Sequence, residues 1–354
     1  MTVTDPIFIT GRFRCGSTML FNLFAKTPGC CAYYEPCHDG LPVNIRYTRP
    51  MASHRGIVDY WTAYRAILDD VDRLHDPAFG ITRLVLEADD DWPDLRSWIE
   101  LLIDRASPDR PVLQFNRVAL RLPWLRASFP DATIIHLSRN PRDSYASMLA
   151  HLPESERSAD DPAWWNVYEQ REWSLSLARE FPFLAAATSM YARIYSLDRL
   201  SQLMAAQHAH HCLVFERDFV ESQLGVDALI HADLLPEAAR SIAADVIQPQ
   251  PSACAPQDLH EDAWYVHIEA EVDGQLRALE LEANFGGRPL AEIQSSPEVR
   301  SAWSSQPRVP DQKIIDTLLC GYAEQRSEIT RLLRVVRDLE AASRSNPSSA
   351  SVRE

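Results

Sequence analysis

The sequence predicts an α/β fold of three layers, in which a mostly parallel sheet is flanked by helices. Short apolar runs at residues 6–10, 111–115 and 132–137 have the length and composition of buried strands. Each run is followed by a stretch with helical spacing of its apolar residues. Strands that alternate with helices pair in parallel, because each helix carries the chain back to the start of the next strand.

The remaining elements follow the same alternation. Helical spacing begins at Ser17 after the first strand, and it recurs at residues 120–129 and 143–151. Residues 161–207 are mostly helical in pattern, and residues 212–215 form a further strand-like run. Aromatic side chains at helical spacing are more often core than ligand platform. We therefore assign no chemistry to the tryptophans of this stretch, Trp164, Trp165 and Trp173.

Three regions are expected along the chain: a core domain at residues 1–240, an extension at residues 241–341 that packs on or completes it, and a disordered Ser-rich tail at residues 342–354. Alternation up to Asp273–Gly274 favours a hairpin in the extension, with a helix as the alternative reading of the residues that follow. A heptad-like spacing from Ile315 to Leu339 predicts a long amphipathic helix. We favour packing of this helix on its own chain over its pairing with a second copy in a homodimer.

Composition excludes several classes of function. The 354 residues carry a formal charge of −15, which opposes binding to the nucleic-acid backbone. No apolar run reaches the length of about 18 residues that a membrane span requires, and the first ten residues lack a signal-peptide pattern. We expect a cytoplasmic protein without a membrane span. The seven cysteines fit reduced thiols, and the group Cys30, Cys31, Cys37 and His38 lacks the paired spacing of a metal site.

The first candidate site is the loop after the first strand. Residues 11–18 (GRFRCGST) have the spacing of the nucleotide P-loop, but Ser17 stands where that loop has its lysine. The cation is Arg14 instead. Backbone N–H groups of such a loop and of the helix that follows point at one anion, so the loop predicts a phosphate cradle. Without the lysine, ATP hydrolysis is the less favoured use.

The second candidate site follows the strand at residues 132–137. Residues 139–143 read R-N-P-R-D, and Ser147 lies eight residues after Arg139. A guanidinium, a hydroxyl and a helix N-terminus at the end of a strand again suit a phosphate. Together the two motifs resemble those of the sulfotransferases that use 3′-phosphoadenosine 5′-phosphosulfate (PAPS), in the same order and on the same elements. The resemblance covers about residues 6–235.

This resemblance implies a fold of the P-loop nucleotide-binding type and a PAPS co-substrate without a metal ion. It places Arg14 at the bridging oxygen of the donor and Arg139 and Ser147 at its 3′-phosphate. Met19 stands where many cytosolic members have a tryptophan that stacks on adenine. The implied donor-binding residues are Arg12, Phe13, Arg14, Cys15, Gly16, Ser17, Thr18, Met19, Arg139 and Ser147.

The general base is the least direct inference. Cytosolic phenol and steroid members use a histidine after the third strand, where this chain has Gln114-Phe115-Asn116. Carbohydrate-directed and tyrosyl-protein members use a glutamate after the first helix, and Tyr33-Tyr34-Glu35-Pro36 resembles their segment. Glu35 is therefore the candidate base, against a surface or capping carboxylate, and His38 is the reserve.

The expected reaction is transfer of a sulfuryl group to a hydroxyl or amine of a small-molecule, carbohydrate or lipid acceptor. Two alternatives stay open. A P-loop kinase or ATPase would require a loop lysine and an acidic magnesium ligand. A non-catalytic protein of the same fold would bind adenosine bisphosphate without turnover.

Overall fold

Five parallel strands form one sheet in the computed structural model, which describes residues 5–50, 54, 56–150, 170–185, 187, 189–247 and 255–278. The strand order is β2-β3-β1-β4-β5. Their bounds are β1 Ile7–Gly11, β2 Cys30–Tyr34, β3 Arg110–Phe115, β4 Thr133–Ser138 and β5 His211–Val214. The order reverses at β1, so the crevice for a ligand is expected at the carboxyl ends of β1, β3 and β4.

Alternate residues of the strands pack into two separate cores. Ile7 and Ile9 of β1 belong to the core on one face of the sheet, whereas Phe8 belongs to the core on the other. Both cores are closed by helices, and most strand positions are fully buried. The sheet therefore has the near-continuous apolar strands of a sheet covered on both faces, and the predicted three-layer α/β class is confirmed.

The helices divide between the two faces. The face of Ile7 and Ile9 is covered by α1 (Ser17–Lys26), with α11 and α12, and the other face mainly by α6, α7, α8 and α10. The bounds of the others within the described residues are α2 Leu41–Tyr47, α3 Thr62–Arg65, α4 Leu68–Leu74, α5 Ala78–Ile81, α6 Pro93–Ala106, α7 Leu122–Ser128, α8 Pro141–Leu149, α9 Gln170–Ser176, α10 Met190–His208, α11 Leu224–His231, α12 Ala239–Val246 and α13 Asp262–Ala278.

The expected hairpin before Asp273–Gly274 is wrong. Residues 262–278 form the single helix α13, which packs against α10. Its buried residues are Tyr265, Ile268, Val272 and Leu276, whose spacing of three and four is helical. Val266, which belongs to the alternating pattern, is 49% exposed. The alternation was therefore incidental, and the apolar stripe that packs against α10 determines that this segment is a helix.

The remaining sequence-based expectations concern the strands and segments near the C-terminus. The four predicted strands are present with ends shifted by about one residue. The edge strand β2, which carries Cys30 and Cys31, was not predicted. Several expectations fall on residues outside the described part of the chain: the heptad segment at residues 315–339, the tail at residues 342–354, Trp164 and Trp165. Within the described part of the chain, no helix is long and apolar enough to cross a membrane.

Candidate active site

The loop between β1 and α1 has the backbone of an anion cradle. Two of its residues have left-handed φ angles, 66° at Arg14 and 95° at Gly16. A Cβ on Gly16 would lie 2.4 Å from the ring of Phe215, so both the conformation and the space require glycine. Because α1 begins at Ser17, its first N–H groups have no partner within the helix and are presented at the loop.

Arg14 links this loop to the second predicted motif. Its Nε donates to Ser147 Oγ on α8 at 3.0 Å. Its Nη1 lies 3.2 Å from Nε2 of His54, which must accept because a guanidinium has only donors. The other ring nitrogen of His54 contacts the hydroxyl of Tyr60. Arg14 is therefore held from two sides, by one residue of each neighbouring segment.

The second motif lies where β4 ends and α8 begins. The side chain of Asn140 caps α8 by accepting from the backbone N–H of Arg142 at 3.0 Å. Nη1 of Arg139 donates to the carbonyl oxygen of Arg14 at 3.1 Å, while its Nε donates to Glu216 at 3.3 Å. The two motifs, separated by more than a hundred residues in sequence, are thus in direct contact through Arg14 and Arg139.

An open cavity of about 650 Å³ adjoins the second motif. It is lined by the carboxyl ends of β4 and β5 and by side chains of α8, α10 and α13. The charged residues among them are Arg139, Arg142, Glu216, Glu221 and Glu269. Parallel sheets place ligand crevices at this edge, and the cavity is large enough for a nucleotide.

Glu35 lies just after β2 at the same edge of the sheet. Its φ is 45°, and its N–H donates to the carbonyl oxygen of Gln114 at 2.8 Å, which continues the pairing of β2 with β3. The carboxylate is only 8% exposed. Asn116 Nδ2 donates to Oε1 at 2.6 Å and Arg117 Nη1 donates to Oε2 at 2.5 Å. Both oxygens are therefore held, and each keeps a further acceptor position.

The hydroxyls of the loop are also engaged. Ser17 Oγ donates to Asn116 Oδ1 at 2.9 Å, and Thr18 Oγ1 lies 3.0 Å from the hydroxyl of Tyr34. The ring of Tyr34 stacks on that of Tyr60 with centroids 4.5 Å apart. The loop is thus anchored to β2, β3 and the segment before α3 through its hydroxyl residues.

His38, the reserve base, points elsewhere. Its Nδ1 accepts from the backbone N–H of Gly40 at 3.0 Å and lies 3.0 Å from a carboxylate oxygen of Asp39. The amide nitrogen of Asn44 lies 3.2 Å from its Nε2. These are local contacts that order the turn into α2. Within the described residues, the side-chain hydrogen bonds of His38 all lie in this turn and in α2.

Three predicted donor-binding side chains lie in the cores. Arg12 is 5% exposed, donates to Gln170 at 3.0 Å and lies 4.4 Å from the ring centroid of Trp173. Phe13 packs edge-on against the same tryptophan. Cys15 is fully buried, and burial raises the pKa of its thiol to about 11. Met19 is partly buried against the core of Ile7 and Ile9. Arg12, Phe13 and Cys15 can therefore offer the cradle their backbone, not their side chains.

Two further titratable groups are buried near Arg12. Burial raises the pKa of Asp198 on α10 to about 7, and the positive charges of Arg12 and Arg199 only partly oppose this shift. Burial lowers the pKa of His136 on β4 to about 4, and Arg12 adds to the effect. Thr10 Oγ1 lies 3.0 Å from Nδ1 of this neutral imidazole. His136 is therefore neutral at pH 7, whereas Asp198 is largely protonated only below that pH.

Comparison with known protein families gives a match in the first part of the chain. The model of the sulfotransferase family matches residues 6–193, just over half of the chain. The chain belongs to the sulfotransferase family. The reaction of this sulfotransferase is accordingly the transfer of a sulfuryl group, and both predicted phosphate motifs fall within the matched residues.

A solved structure is similar to this chain. The crystal structure of sulfotransferase STF1 from Mycobacterium tuberculosis H37Rv aligns with 76% of this chain and 77% of that chain. The sequence identity is 18% and the TM-score is 0.41. No curated protein sequence matches the chain.

Sequence reasoning missed several residues of the site in this sulfotransferase. Asn116 and Arg117 directly follow β3, which pairs with β1. Polar residues at the carboxyl end of a strand beside β1 could have been predicted as site residues. Phe215, whose ring packs on Gly16, was predicted only as part of a strand-like run. His54 lies in a stretch without regular spacing, so nothing in the sequence pointed to it.

Cysteines and acidic groups of the described residues form no candidate metal cluster. Cys30 and Cys31 lie side by side on β2, whereas Cys37 is buried beyond Glu35. Cys15, Cys30, Cys31, Cys37 and Cys212 all have free thiols.

Proposed function

We propose that this sulfotransferase uses PAPS as its donor and a hydroxyl, or an amine, of a small-molecule, carbohydrate or lipid as its acceptor. The observation that carries the proposal is the contact between the two anion-binding loops. Arg14 donates to Ser147, and Arg139 donates to the carbonyl oxygen of Arg14. A donor with a phosphosulfate at one end and a 3′-phosphate at the other needs two such loops at one edge of a sheet.

The fit of the donor rests on the chain's own groups. The N-terminus of α1, with the left-handed backbone at Arg14 and Gly16, would hold the 5′-phosphosulfate. Arg139, Ser147 and the N-terminus of α8 would hold the 3′-phosphate. The adjoining cavity lies on the same side as Arg139 and offers space for the nucleoside.

In the proposed reaction, an acceptor oxygen attacks sulfur in line with the bridging oxygen of the donor. A new S–O bond forms as the bridging S–O bond breaks, and its electron pair stays on the departing 5′-phosphate. Arg14 stabilises the charge that develops there. Glu35 takes the proton of the acceptor, so the products are a sulfate ester, adenosine 3′,5′-bisphosphate and a proton held by the enzyme.

The kinase alternative is weakened by the surroundings of Ser17. This residue stands where a P-loop ATPase has its lysine, and its uncharged hydroxyl donates to Asn116. Thr18 stands where such a loop has its magnesium-binding hydroxyl, and its Oγ1 lies 3.0 Å from the hydroxyl of Tyr34. A non-catalytic member of the fold would keep both anion loops but would have no use for a carboxylate fixed at the same edge. The arrangement of Glu35 with Asn116 and Arg117 favours catalysis.

Calorimetry with adenosine 3′,5′-bisphosphate, without magnesium, tests the donor. We expect micromolar affinity, its loss in Arg139→Ala, and no comparable binding of ATP, because the 3′-phosphate is what the second loop recognises. Arg126→Ala serves as the matched control, since this arginine lies in the last turn of α7. Binding of ATP with magnesium in place of the bisphosphate would replace the sulfotransfer proposal by the kinase alternative.

A further inference from the structure

A line of hydrogen bonds joins the donor loop to the candidate base. Ser17 Oγ donates to Asn116 Oδ1 at 2.9 Å, and Asn116 Nδ2 donates to Glu35 Oε1 at 2.6 Å. All three side chains are buried, with exposed fractions of 3% for Ser17, 5% for Asn116 and 8% for Glu35. Because water is largely excluded, each hydrogen bond constrains its partners strongly and each loss leaves an unpaired group.

The chemistry of an amide suits the central position of this line. Asn116 Oδ1 accepts from Ser17 and also from Gln114 Nε2, at 2.8 Å, while its nitrogen faces the carboxylate. Two donors at one end and an acceptor at the other define which atom is oxygen and which is nitrogen. Aspartate would place a carboxylate oxygen against Glu35, and serine or alanine would be too short to bridge the gap.

Arg117 completes the support of Glu35 from the other side. Its guanidinium holds Oε2 of Glu35 at 2.5 Å and reaches a carboxylate oxygen of Asp39 at 3.5 Å. The same guanidinium lies 5.0 Å from the ring centroid of Phe13 in the donor loop. The carboxylate is thus fixed at both oxygens, and both supports follow directly after β3.

We propose that Asn116 is a positioning residue that ties the base Glu35 to the loop that holds the donor. The inference rests on the proposed function, since it assigns Glu35 the proton of the acceptor. Sulfuryl transfer requires acceptor oxygen, sulfur and bridging oxygen to lie in line, and the base must meet the acceptor proton at hydrogen-bond distance. Asn116 is anchored both to Ser17 of the loop and to Gln114 of β3, so the distance from Glu35 to the transferred group is preserved.

Asn116 also has an anchor that does not depend on Ser17. When the hydroxyl of Ser17 turns to a phosphate oxygen, Asn116 Oδ1 keeps the hydrogen bond from Gln114. The amide nitrogen therefore continues to face Glu35. Gln114 lies on β3 beside β1, so the central sheet itself provides the second anchor.

The decisive variant is Asn116→Asp, which keeps the shape and the acceptor for Ser17 but replaces the donor that faces Glu35. Two carboxylates at this distance share one proton, so Glu35 is free to act as base only at higher pH. The readout is the pH profile of PAPS turnover, measured as release of adenosine 3′,5′-bisphosphate with water as the acceptor. We expect the acid limb of kcat to move up by about one pH unit or more.

Asn44→Asp is the matched control, because it makes the same change beside His38 instead of Glu35. Its pH profile is expected to coincide with that of the wild type. A shift in Asn44→Asp without one in Asn116→Asp would overturn the proposal and point to His38 as the base.

Asn116→Ala guards against a misfolded aspartate variant. It removes the bridge without adding charge, and we expect kcat to fall about 10²-fold. Binding of adenosine 3′,5′-bisphosphate should change far less than kcat, since the donor loop keeps its backbone and Arg14. Equal losses in binding and turnover would mean that Asn116 only maintains the fold, which contradicts the proposal.

Failure of this inference is distinguishable from failure of the proposed function. If the wild type binds the bisphosphate and turns over PAPS, but neither Asn116 variant alters the profile or kcat, Asn116 has no positioning role and the donor assignment stands. If the wild type neither binds the bisphosphate nor turns over PAPS, both proposals are overturned together.

Discussion

At the scale of single residues, the donor loop depends on a glycine for two separate reasons. Gly16 has a φ of 95°, which residues with a Cβ adopt only at a cost, and a Cβ at this position would clash with the ring of Phe215. Phe215 in turn lies under the guanidinium of Arg139, 5.2 Å from its ring centroid. A change at Gly16 is therefore transmitted to both phosphate motifs.

We predict that Gly16→Ala destabilises the protein and weakens binding of adenosine 3′,5′-bisphosphate. The added methyl group must displace an aromatic ring that a Cβ would approach to 2.4 Å. The free energy of unfolding, measured by urea denaturation, should fall by roughly 1–3 kcal/mol beyond the cost of the left-handed conformation.

Gly29→Ala separates the cost of the left-handed conformation from the cost of displacing the ring of Phe215. Gly29 also has a left-handed φ, of 82°, but a Cβ there would meet nothing within 4 Å. This variant should lose only about 1–2 kcal/mol and should bind the bisphosphate like the wild type. If the free energy of unfolding falls equally in the two variants, the ring of Phe215 moves aside without an energetic penalty.

At the scale of elements, α13 is attached to the second phosphate motif. Glu269 of α13 accepts two hydrogen bonds from Arg142 of α8, both at 2.7 Å, and a third from the hydroxyl of Tyr191. Hydrogen bonds to Glu269 and Asp262 raise the pKa of Arg142. The helix lies beyond the residues that the family model matches.

We predict that Glu269→Ala loosens α13 while α10 stays protected. A paired fork of hydrogen bonds at a largely buried carboxylate contributes more than an exposed ion pair. Amide hydrogen exchange, resolved by peptide, should therefore speed up in residues 262–278 and stay unchanged in the middle of α10.

Asp262→Ala provides the comparison. Asp262 also pairs with Arg142, but its side chain is 79% exposed, compared with 20% for Glu269. Exchange in α13 should then increase little, since exposed pairs contribute about 0–1 kcal/mol. An equal effect of both variants would contradict the special role of Glu269.

At the scale of the whole molecule, global stability depends on a carboxyl group enclosed in the protein. Asp198 of α10 is 6% exposed, and its carboxylate accepts from Gln202 at 2.6 Å. Burial raises its pKa from 3.8 to about 7. The native state therefore binds a proton at Asp198 more tightly than the unfolded chain does. The stability that this protonation contributes is complete below pH 4 and is lost as the pH rises to about 7.

We predict that Asp198→Asn becomes more stable than the wild type as the pH rises. Asparagine imitates the protonated carboxyl group and does not titrate. The difference in the free energy of unfolding should grow by about 3 kcal/mol between pH 5 and 8, at 1.36 kcal/mol per unit. Chemical denaturation at several pH values measures it. Asp245→Asn, at an exposed position of α12, is the control. An equal dependence of its unfolding free energy on pH would contradict the assignment of the effect to Asp198.

Much of the architecture was determined by the sequence alone. Apolar runs that alternate with helical spacing predicted the α/β sheet, since a strand buried on both faces must be apolar throughout. The loop at residues 11–18 and the motif around Arg139 predicted the family, because local backbone geometry and nearby cations are encoded by neighbouring residues. Both features depend on short stretches of chain, so they need no knowledge of the fold.

Tertiary structure decided which distant residues meet. Glu35 and Asn116 come together because β2 and β3 are neighbours in parallel, so their carboxyl ends lie at one edge of the sheet. His54 contacts Arg14 from a stretch of sequence that no periodicity marks. Residues 262–278 are helical because the stripe from Tyr265 to Leu276 packs against α10, a surface that lies far away in sequence. Local patterns specify elements, whereas contacts between elements depend on the order and register of the whole sheet.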